Sequence, residues 1–474
     1  MATTAASLAE LESKAGRFAT AESLYTVALA IHREDPGPRT EAVADDLRGL
    51  GLIASRLGEP EASEEHYRRA LAIYESDPAL QGVGYSVCLN DFALVLYEQG
   101  RDEEAEPMLR EAIALQQRLL GDDHPELANT LYNLALLLYD RGDFRAAEPI
   151  QRRVLALDRQ HYDATHPNLA YSLMTLGVTL EENGQFAEAE KMFAEAAEIR
   201  RAVLEPSHPD LIKTLGAVAL ARHRGGHYAE AEPMLREVAE LAREHLGRQQ
   251  ITAGRIDQLG WNLHDQGRDA EALALHREAL AIKLDTIGPD HKNTATSYMH
   301  LGSTLAGLGQ LDAALEAQQH ALDIALAQFG EDNLYTAATR GGMARIHLAR
   351  GELDSARASA ETALATLRRQ LDPDSPRIGT ALQTLGRIHH ARGEIGEAER
   401  CLRQALGIRR ERLGAEHPQT AWSEVCLAEV LLDRGAREEA AGLARSALPV
   451  LEARLPSEHE RVIAARRIAA ETAR

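Results

Sequence analysis

The sequence is poor in cysteine, in long apolar runs and in positive charge. Its 474 residues include three cysteines, Cys88, Cys401 and Cys426, too few for a disulfide framework, so we expect a reducing, cytoplasmic setting. No run of roughly 18 apolar residues is present, so we expect no membrane-spanning helix and no membrane partner. The opening residues lack the basic and apolar regions of a signal peptide, so we do not expect one.

The charge balance and the missing motifs exclude further classes of protein. The 52 Lys and Arg stand against 73 Asp and Glu, which gives a formal net charge of −21. Such an acidic surface repels phosphate backbones, so we expect no nucleic-acid partner. No nucleotide-binding glycine loop, HExxH motif or GxSxG motif occurs, and we therefore expect neither an enzyme nor a bound cofactor.

A glycine recurs along the chain at a nearly constant interval. The steps between these glycines are 42 residues, except for one step of 41. Seven residues before each glycine stands only Ala or Gly, and five residues after it stands Ala in every repeat but one, which has Ser63. We call these positions the turn glycines: Gly16, Gly58, Gly100, Gly142, Gly184, Gly226, Gly267, Gly309, Gly351, Gly393 and Gly435.

Each interval contains two amphipathic segments. Before the turn glycine at position 142, Leu131 and Leu134 share one helical face, and after it Ala147 and Val154 do the same. Glycine can take the left-handed conformation that ends the first helix, and the small residue seven positions earlier lets the two helices approach closely. A hairpin this thin cannot bury its apolar face alone, so the pattern predicts an array of stacked hairpins.

These residues resemble the tetratricopeptide repeat, and the segment DDHPELANTLYNLALLLYDRGDFRAAEP is similar to the form found in kinesin light chains. The family's usual unit has about 34 residues, whereas a longer second helix and an Asp-His-Pro-like junction lengthen this one. The resemblance implies an all-α fold, a right-handed superhelical solenoid of about eleven hairpins plus a C-terminal capping helix. No heptad coiled coil precedes the repeats, so attachment to a motor is not implied.

The repeat assigns the whole chain, residues 1–474, to a single solenoid of about 22 or 23 helices. The tail aligns with a first helix that lacks a partner, and its arginines suit a polar cap. The predicted hairpins span residues 1–37, 38–79, 80–122, 123–164, 165–206, 207–248, 249–289, 290–331, 332–373, 374–415 and 416–457, followed by the cap over 458–474.

Histidine recurs at the junctions between hairpins. Metal ligands must converge within about 2.0–2.3 Å of one ion, whereas neighbouring junctions are separated by two helix layers of about 8–10 Å each. We therefore predict no metal site and expect these side chains to help cap the first helices, where proline often fills the first position. The junction histidines are His124, His166, His208, His291, His417 and His459.

In the resembling family the first helices line a concave groove, and the resemblance implies which residues point into it. We predict that this groove binds an extended peptide or partner segment, with aromatic residues and Met as anchors and Asn pairing with its backbone. Arg345, Arg387 and His390 would favour an acidic part of the same ligand. The alternative is that superhelical curvature buries these residues against one another. The predicted groove residues are Asn90, Tyr97, Asn129, Tyr132, Tyr139, Tyr171, Met174, Trp261, His264, Arg345, Gln383, Arg387, His390 and Trp422.

Two repeats depart from the pattern. The stretch LGRQQITAGRIDQLGW drops one residue, loses the His-Pro junction and places Gly254 near a helix start. The stretch ATRGGMARIHLARG places Gly341 and Gly342 inside a first helix, at about 1 kcal/mol per glycine relative to Ala. Local departures of this kind mark function or flexibility, so we expect a hinge at one of the two repeats.

The features together favour a non-enzymatic scaffold that binds a protein partner. The alternative is a regulatory or sensor subunit, in which a ligand changes the curvature of the solenoid and so controls a separately encoded effector such as a protease or an NTPase. The Ala- and Arg-rich composition is typical of bacterial proteins. An enzyme is the third and least favoured class, because the catalytic motifs are missing.

Overall fold

The computed structural model describes residues 1–34 and 40–472, and within those ranges it contains 23 α-helices, one short 3-10 turn at Pro78–Leu80 and no strand. The predicted all-α class and helix count are confirmed. The predicted boundary at residues 37 and 38 and the last two residues of the cap lie outside the described residues. The helices are α1 (Ala2–Lys14), α2 (Phe18–Glu34), α3 (Glu41–Leu57), α4 (Pro60–Glu75), α5 (Val83–Glu98), α6 (Asp102–Leu120), α7 (Pro125–Asp140), α8 (Phe144–His161), α9 (Pro167–Glu182), α10 (Phe186–Val203), α11 (Pro209–Arg224), α12 (Tyr228–Leu246), α13 (Gln250–Asp265), α14 (Asp269–Ile287), α15 (Lys292–Gly307), α16 (Leu311–Phe329), α17 (Leu334–Ala349), α18 (Leu353–Gln370), α19 (Pro376–Ala391), α20 (Ile395–Arg412), α21 (Pro418–Asp433), α22 (Arg437–Arg454) and α23 (Glu460–Thr472).

The chain forms two compact units. The first unit comprises residues 1–141 and 145–163, and the second comprises residues 142–144 and those from 164 onward. In the first unit α1 packs on α2, α3 on α4, and α5 on α6. In the second unit the hairpins from α9–α10 to α21–α22 pack in the same way, and α23 rests on α22 and α21. That all residues form one solenoid stays a prediction.

The turn glycines end the first helix of every hairpin. All eleven have positive φ, between 73° and 87°, the left-handed region that other residues enter only with strain. At Gly184 the amide donates to the Glu181 carbonyl at 3.0 Å, and the next amide, of Gln185, donates to Leu180 at 2.8 Å. These bonds satisfy the last carbonyls of the helix, so the predicted role of the turn glycines is confirmed.

The small residues seven positions before the turn glycines lie where the two helices of a hairpin touch. A Cβ added at Gly177 would lie 2.7 Å from Cδ1 of Phe193 and closer still to Cε1, and one at Gly51 would lie 2.8 Å from the Tyr67 ring. Where this position is alanine, as at Ala135, the residue is fully buried. A larger side chain would force the helices apart, which confirms the predicted close approach.

The junction histidines cap the first helices. Nδ1 of His208 accepts a hydrogen bond from the Asp210 amide at 3.1 Å, which satisfies one of the free N–H groups at the helix start. The same bond, to the amide two residues on, occurs at His124, His166, His291, His417 and His459. The capping interpretation is confirmed.

Both irregular repeats form unbroken helices, α13 and α17. Gly342 lies against the side chain of Gln318, where a Cβ would lie 2.8 Å from Nε2, whereas Gly254 and Gly341 face open space. The predicted hinge therefore stays a prediction. None of the described helices combines the length and the apolar character that crossing a bilayer requires.

Candidate functional site

In the first unit, polar side chains connect the first helices of successive hairpins. The Asn133 Nδ2 group on α7 donates to Oδ1 of Asn90 on α5 at 2.9 Å, and the hydroxyl of Tyr97 on α5 donates to the carboxylate of Asp140 just within the end of α7. Arg48 on α3 forms an ion pair with an aspartate of α5, Asp91, at 2.9 Å. These contacts join α3, α5 and α7 into one continuous surface.

The predicted aromatic residues of this surface are half-buried. Tyr97 and Tyr139 pack against the core of the first unit, and Tyr132 packs against the apolar cluster between α7 and α8. Burial, together with the hydrogen bond to Asp140, raises the pKa of the Tyr97 hydroxyl. Asn129 on α7 is exposed. Neighbouring helices thus cover part of the predicted surface and leave the rest in contact with solvent.

The predicted residues Tyr171 and Met174 lie in the second unit, on α9. The Tyr171 side chain is one of the few large apolar or aromatic side chains that are exposed, at 50%, and Met174 is half-buried. These residues give α9 an accessible apolar group on the face that the resemblance assigned to the groove.

Hairpins that lie five positions apart in the sequence contact each other in the second unit. The turn after α11 meets the start of α21, where Nε2 of His417 donates to the Arg224 carbonyl at 2.8 Å. Pro418 lies so near Gly226 that a Cβ there would be 2.6 Å from Cγ of the proline. In the same way the turn after α13 meets His459 at the start of α23. The helices from α13 to α23 therefore close around a central space.

This space is a cavity of about 380 Å³. It is lined by residues of α13, α14, α15, α17, α19, α20, α21 and α23. Six predicted groove residues that are widely separated in the chain meet there: Trp261, His264, Arg345, Gln383, Arg387 and Trp422. His390 does not line the cavity, and its Nε2 pairs instead with Asp433 at 2.7 Å.

Several lining residues were not predicted. One of them is Arg461, the second residue of α23. It was missed because the tail was interpreted only as a polar cap. Because α23 aligns with the other first helices, the position of Arg461 just after the junction histidine was the one weak sign in the sequence that its side chain could face inward. The remaining unpredicted lining residues are Asp265, His276, His300, Thr384, Arg409, Gln419 and Glu460.

The cavity is rich in guanidinium groups. Arg387 and Arg461 both lie over the indole ring of Trp422, with Cζ at 5.8 and 5.6 Å from its centroid. The Arg345 side chain is exposed inside the cavity. Desolvation by the surrounding protein, together with the positive charges of Arg387 and Arg461, lowers the pKa of its guanidinium group. Like charges gathered along one cavity wall repel each other unless nearby carboxylates compensate them.

A fourth lining arginine, Arg409, is buried and serves a structural role. It donates to Ser423 Oγ at 2.7 Å and to the Gln419 carbonyl at 3.0 Å, and it also bonds to the amide oxygen of Gln383. All of these acceptors are neutral, and desolvation lowers the pKa of Arg409 to about 10. Gln383 lines the cavity but is mostly buried, and its amide oxygen accepts hydrogen bonds from Arg409 and Ser423.

One group in the described part of the chain has the composition of a metal site. The ligand atoms of Asp257, His276 and His300 lie within 4.8 Å of one another. However, Lys283 Nζ already binds the Asp257 carboxylate at 2.6 Å, and His276 Nδ1 lies 2.9 Å from its other oxygen. A cation at this position would face the ammonium group at close range, so we interpret the cluster as a buried polar network that joins α13, α14 and α15.

Comparison with known families gives one family model that matches this chain, described as "Tetratricopeptide repeat". The matches extend over nearly the whole chain. They cover residues 1–76, 86–160, 162–244, 253–327, 293–369, 335–411 and 380–453. None of the curated proteins matches the chain.

Solved structures with similar folds include two forms of a putative kinesin light chain of Podosopora anserina with nearly identical TPR-like repeats. The first is 22% identical with a TM-score of 0.38 and covers 42% of this chain and 94% of its own. A form of it with a single substitution is also 22% identical, with a TM-score of 0.39 and coverages of 42% and 93%. BtubC (BKLC) from P. vanneervenii is 20% identical with a TM-score of 0.37, covering 49% of this chain and 91% of its own. Similarity this low says nothing about function.

Proposed function

The chain belongs to the tetratricopeptide repeat family, whose members are generally protein-interaction scaffolds, and from this premise we propose that it is a cytoplasmic, non-enzymatic scaffold that binds an extended segment of a partner protein. We assign the segment to the first helices of the first unit. The three cysteines are buried and free, as expected of a protein kept in a reducing compartment.

The observation that carries this proposal is the continuous surface of α3, α5 and α7. Its half-buried tyrosines, Tyr97, Tyr132 and Tyr139, are held by the core and offer a large contact area at low entropic cost. The exposed Asn129 side chain offers both a donor and an acceptor to the backbone of an extended segment. In the second unit, Tyr171 and Met174 offer a similar apolar group on α9.

The test compares the affinity of a purified partner segment for three forms of the chain. The partner is first identified by crosslinking and affinity capture with the intact protein. Replacing Tyr132→Ala together with Tyr139→Ala should weaken binding by about 2 kcal/mol or more, roughly 30-fold, on the usual scale of aromatic anchors. The matched control is Tyr335→Ala, because Tyr335 is an exposed tyrosine on α17 outside the inward positions.

Circular dichroism must show that all three forms keep their helicity. If the folded double variant binds as tightly as the wild type, the tyrosine surface is not the site. The outer helices and the junction loops would then be examined. A loss of affinity in the Tyr335→Ala control would also contradict the assignment.

A second candidate function, a ligand-dependent regulatory subunit, is favoured by the contacts between hairpins five positions apart in the second unit. The His417–Arg224 hydrogen bond and the His459–Gly267 contact join elements that a change of curvature would separate. A ligand can shift such an equilibrium only if it binds the two arrangements with different affinity. Solution scattering with and without the partner distinguishes the candidates, since a rigid scaffold predicts no change in the dimensions of the second unit.

A further inference from the structure

The cavity of the second unit has more positive than negative groups along its wall. Arg345, Arg387, Arg409 and Arg461 line it, against only two carboxylates, Asp265 and Glu460. The Asp265 carboxylate lies 3.3 Å from Nε2 of His223 and keeps its charge, so the four arginines outnumber the two carboxylates by two. Among the described residues, Arg345, Arg387 and Arg461 form no ion pair with a carboxylate. In a protein with a net charge of −21, such a local excess of cations is unusual.

The guanidinium groups are also fixed in place before any ligand arrives. The indole of Trp422 contacts both Arg387 and Arg461, with Cζ at 5.8 and 5.6 Å from the ring centroid. Nε of Arg461 is buried and has no hydrogen-bond partner. A buried donor without a partner costs free energy, and the remaining N–H groups of the guanidinium are the ones available to a ligand in the cavity.

We propose that this cavity binds a compact anion with at least two negative charges, of the phosphate or dicarboxylate class, through Arg345, Arg387 and Arg461. The volume of about 380 Å³ lies at the lower end of the range for small-molecule sites, about 300–1,000 Å³. Planar guanidinium groups match the paired oxygens of phosphate and carboxylate. The site is separate from the tyrosine surface of the first unit and does not depend on the function proposed for it.

Occupation of the cavity would also stabilise the closure of the second unit. The three arginines belong to α17, α19 and α23, and α23 begins beside His459, which contacts the turn after α13 at Gly267. An anion bound by all three arginines would hold α23 against α17 and α19. Its binding is therefore coupled to the contact between α13 and α23.

The experiment measures binding of inorganic phosphate and, separately, of malonate to the intact protein by calorimetry at constant ionic strength. At about pH 7.5 inorganic phosphate is mainly a dianion, whereas phosphate monoesters carry close to two negative charges. We expect saturable binding of one equivalent with a dissociation constant of about 1 mM or lower, and no saturable heat with chloride. Binding of phosphate alone assigns the natural ligand to phosphate compounds, and binding of malonate alone assigns it to dicarboxylates.

The variant Arg345→Gln with Arg387→Gln should weaken binding by about a hundredfold, since each lost charge-assisted contact is worth roughly tenfold. Both side chains are exposed within the cavity, and removing like charges should raise the melting temperature of the ligand-free protein. The matched control, Arg437→Gln with Arg445→Gln, removes the same charge from exposed arginines outside the cavity and should bind like the wild type.

Hydrogen exchange provides a second readout. Phosphate or malonate should slow exchange in α23 of the wild type and have no effect in the cavity variant. The proposal is overturned if the wild type shows no saturable binding, if the cavity variant binds as well as the wild type, or if the control loses binding. A lower melting temperature of the ligand-free cavity variant would show a structural role instead. Saturable binding of a hexaglutamate peptide without phosphate or malonate binding would also overturn it, in favour of an acidic protein segment.

Discussion

Replacing Gly177 by alanine tests the packing rule of the hairpins most directly. Gly177 lies in α9 at the position reserved for Ala or Gly, and the ring of Phe193 on α10 fills the space beside it. Elsewhere in a helix, the same substitution is favourable, because alanine has the higher helix propensity by about 1 kcal/mol. At this position the new methyl group would enter the volume of the ring.

The magnitude follows from the distances. The added Cβ would lie 2.7 Å from Cδ1 of Phe193 and closer to Cε1, whereas carbon atoms in contact prefer about 3.5–4.0 Å. The ring must therefore move by about 1 Å, and it cannot move into solvent because Phe193 is fully buried. Overpacking of this kind costs about 1–3 kcal/mol, which the propensity gain offsets in part, so Gly177→Ala should destabilise by about 0–2 kcal/mol.

The matched control is Gly407→Ala. Gly407 lies in the middle of α20 and is exposed, and a Cβ added there would meet no atom within 4 Å apart from its own helix backbone. This variant should be stabilised by about 1 kcal/mol. Urea unfolding followed by circular dichroism compares the two variants, and hydrogen exchange in α9 and α20 assigns each effect to its own hairpin, since repeat arrays need not unfold in one step.

Stabilisation of Gly177→Ala by as much as Gly407→Ala would show that the Phe193 ring does not restrict this position. A double-mutant cycle sharpens the test. Phe193→Leu removes the ring that the new methyl group meets, so combining it with Gly177→Ala should cost less than the sum of the two single effects, by about 1 kcal/mol or more. Additive effects would mean that the two side chains do not compete for the same space.

Two further predictions concern pH and local stability. Burial lowers the pKa of His417 to about 4, below the ordinary value of about 6.5, so the folded state resists protonation and stability should fall by up to about 3 kcal/mol as the pH drops from 6.5 to 4. His417→Asn keeps a capping acceptor but cannot titrate, so the urea midpoint of this variant should fall less over this pH range. The same fall in both proteins would mean that His417 does not cause the pH dependence. Hydrogen exchange should be faster in α13 or α17 than in α7, because Gly254 and Gly341 lower local helix stability, and uniform protection would remove the hinge.

The sequence alone was sufficient for the hairpins. The interactions of the turn glycines, the small residues and the junction histidines are all local, since their partners are near in the chain. A repeated local pattern is therefore enough to predict the structure of each hairpin. Gly184 ends α9, and His208 caps α11, through bonds that span only a few residues. The all-α class, the helix count and the tetratricopeptide repeat family followed from these local rules.

Only the tertiary structure decided which inward residues meet. Trp261 and Trp422 line one cavity because the helices from α13 to α23 close upon each other, and Arg461, interpreted from the sequence as part of a polar cap, completes its wall. His390 occupies an inward position in the repeat but pairs with Asp433 instead. The closure depends on a small rotation between neighbouring hairpins, added over five of them. No single repeat encodes that sum, because each rotation results from the packing of many side chains at once.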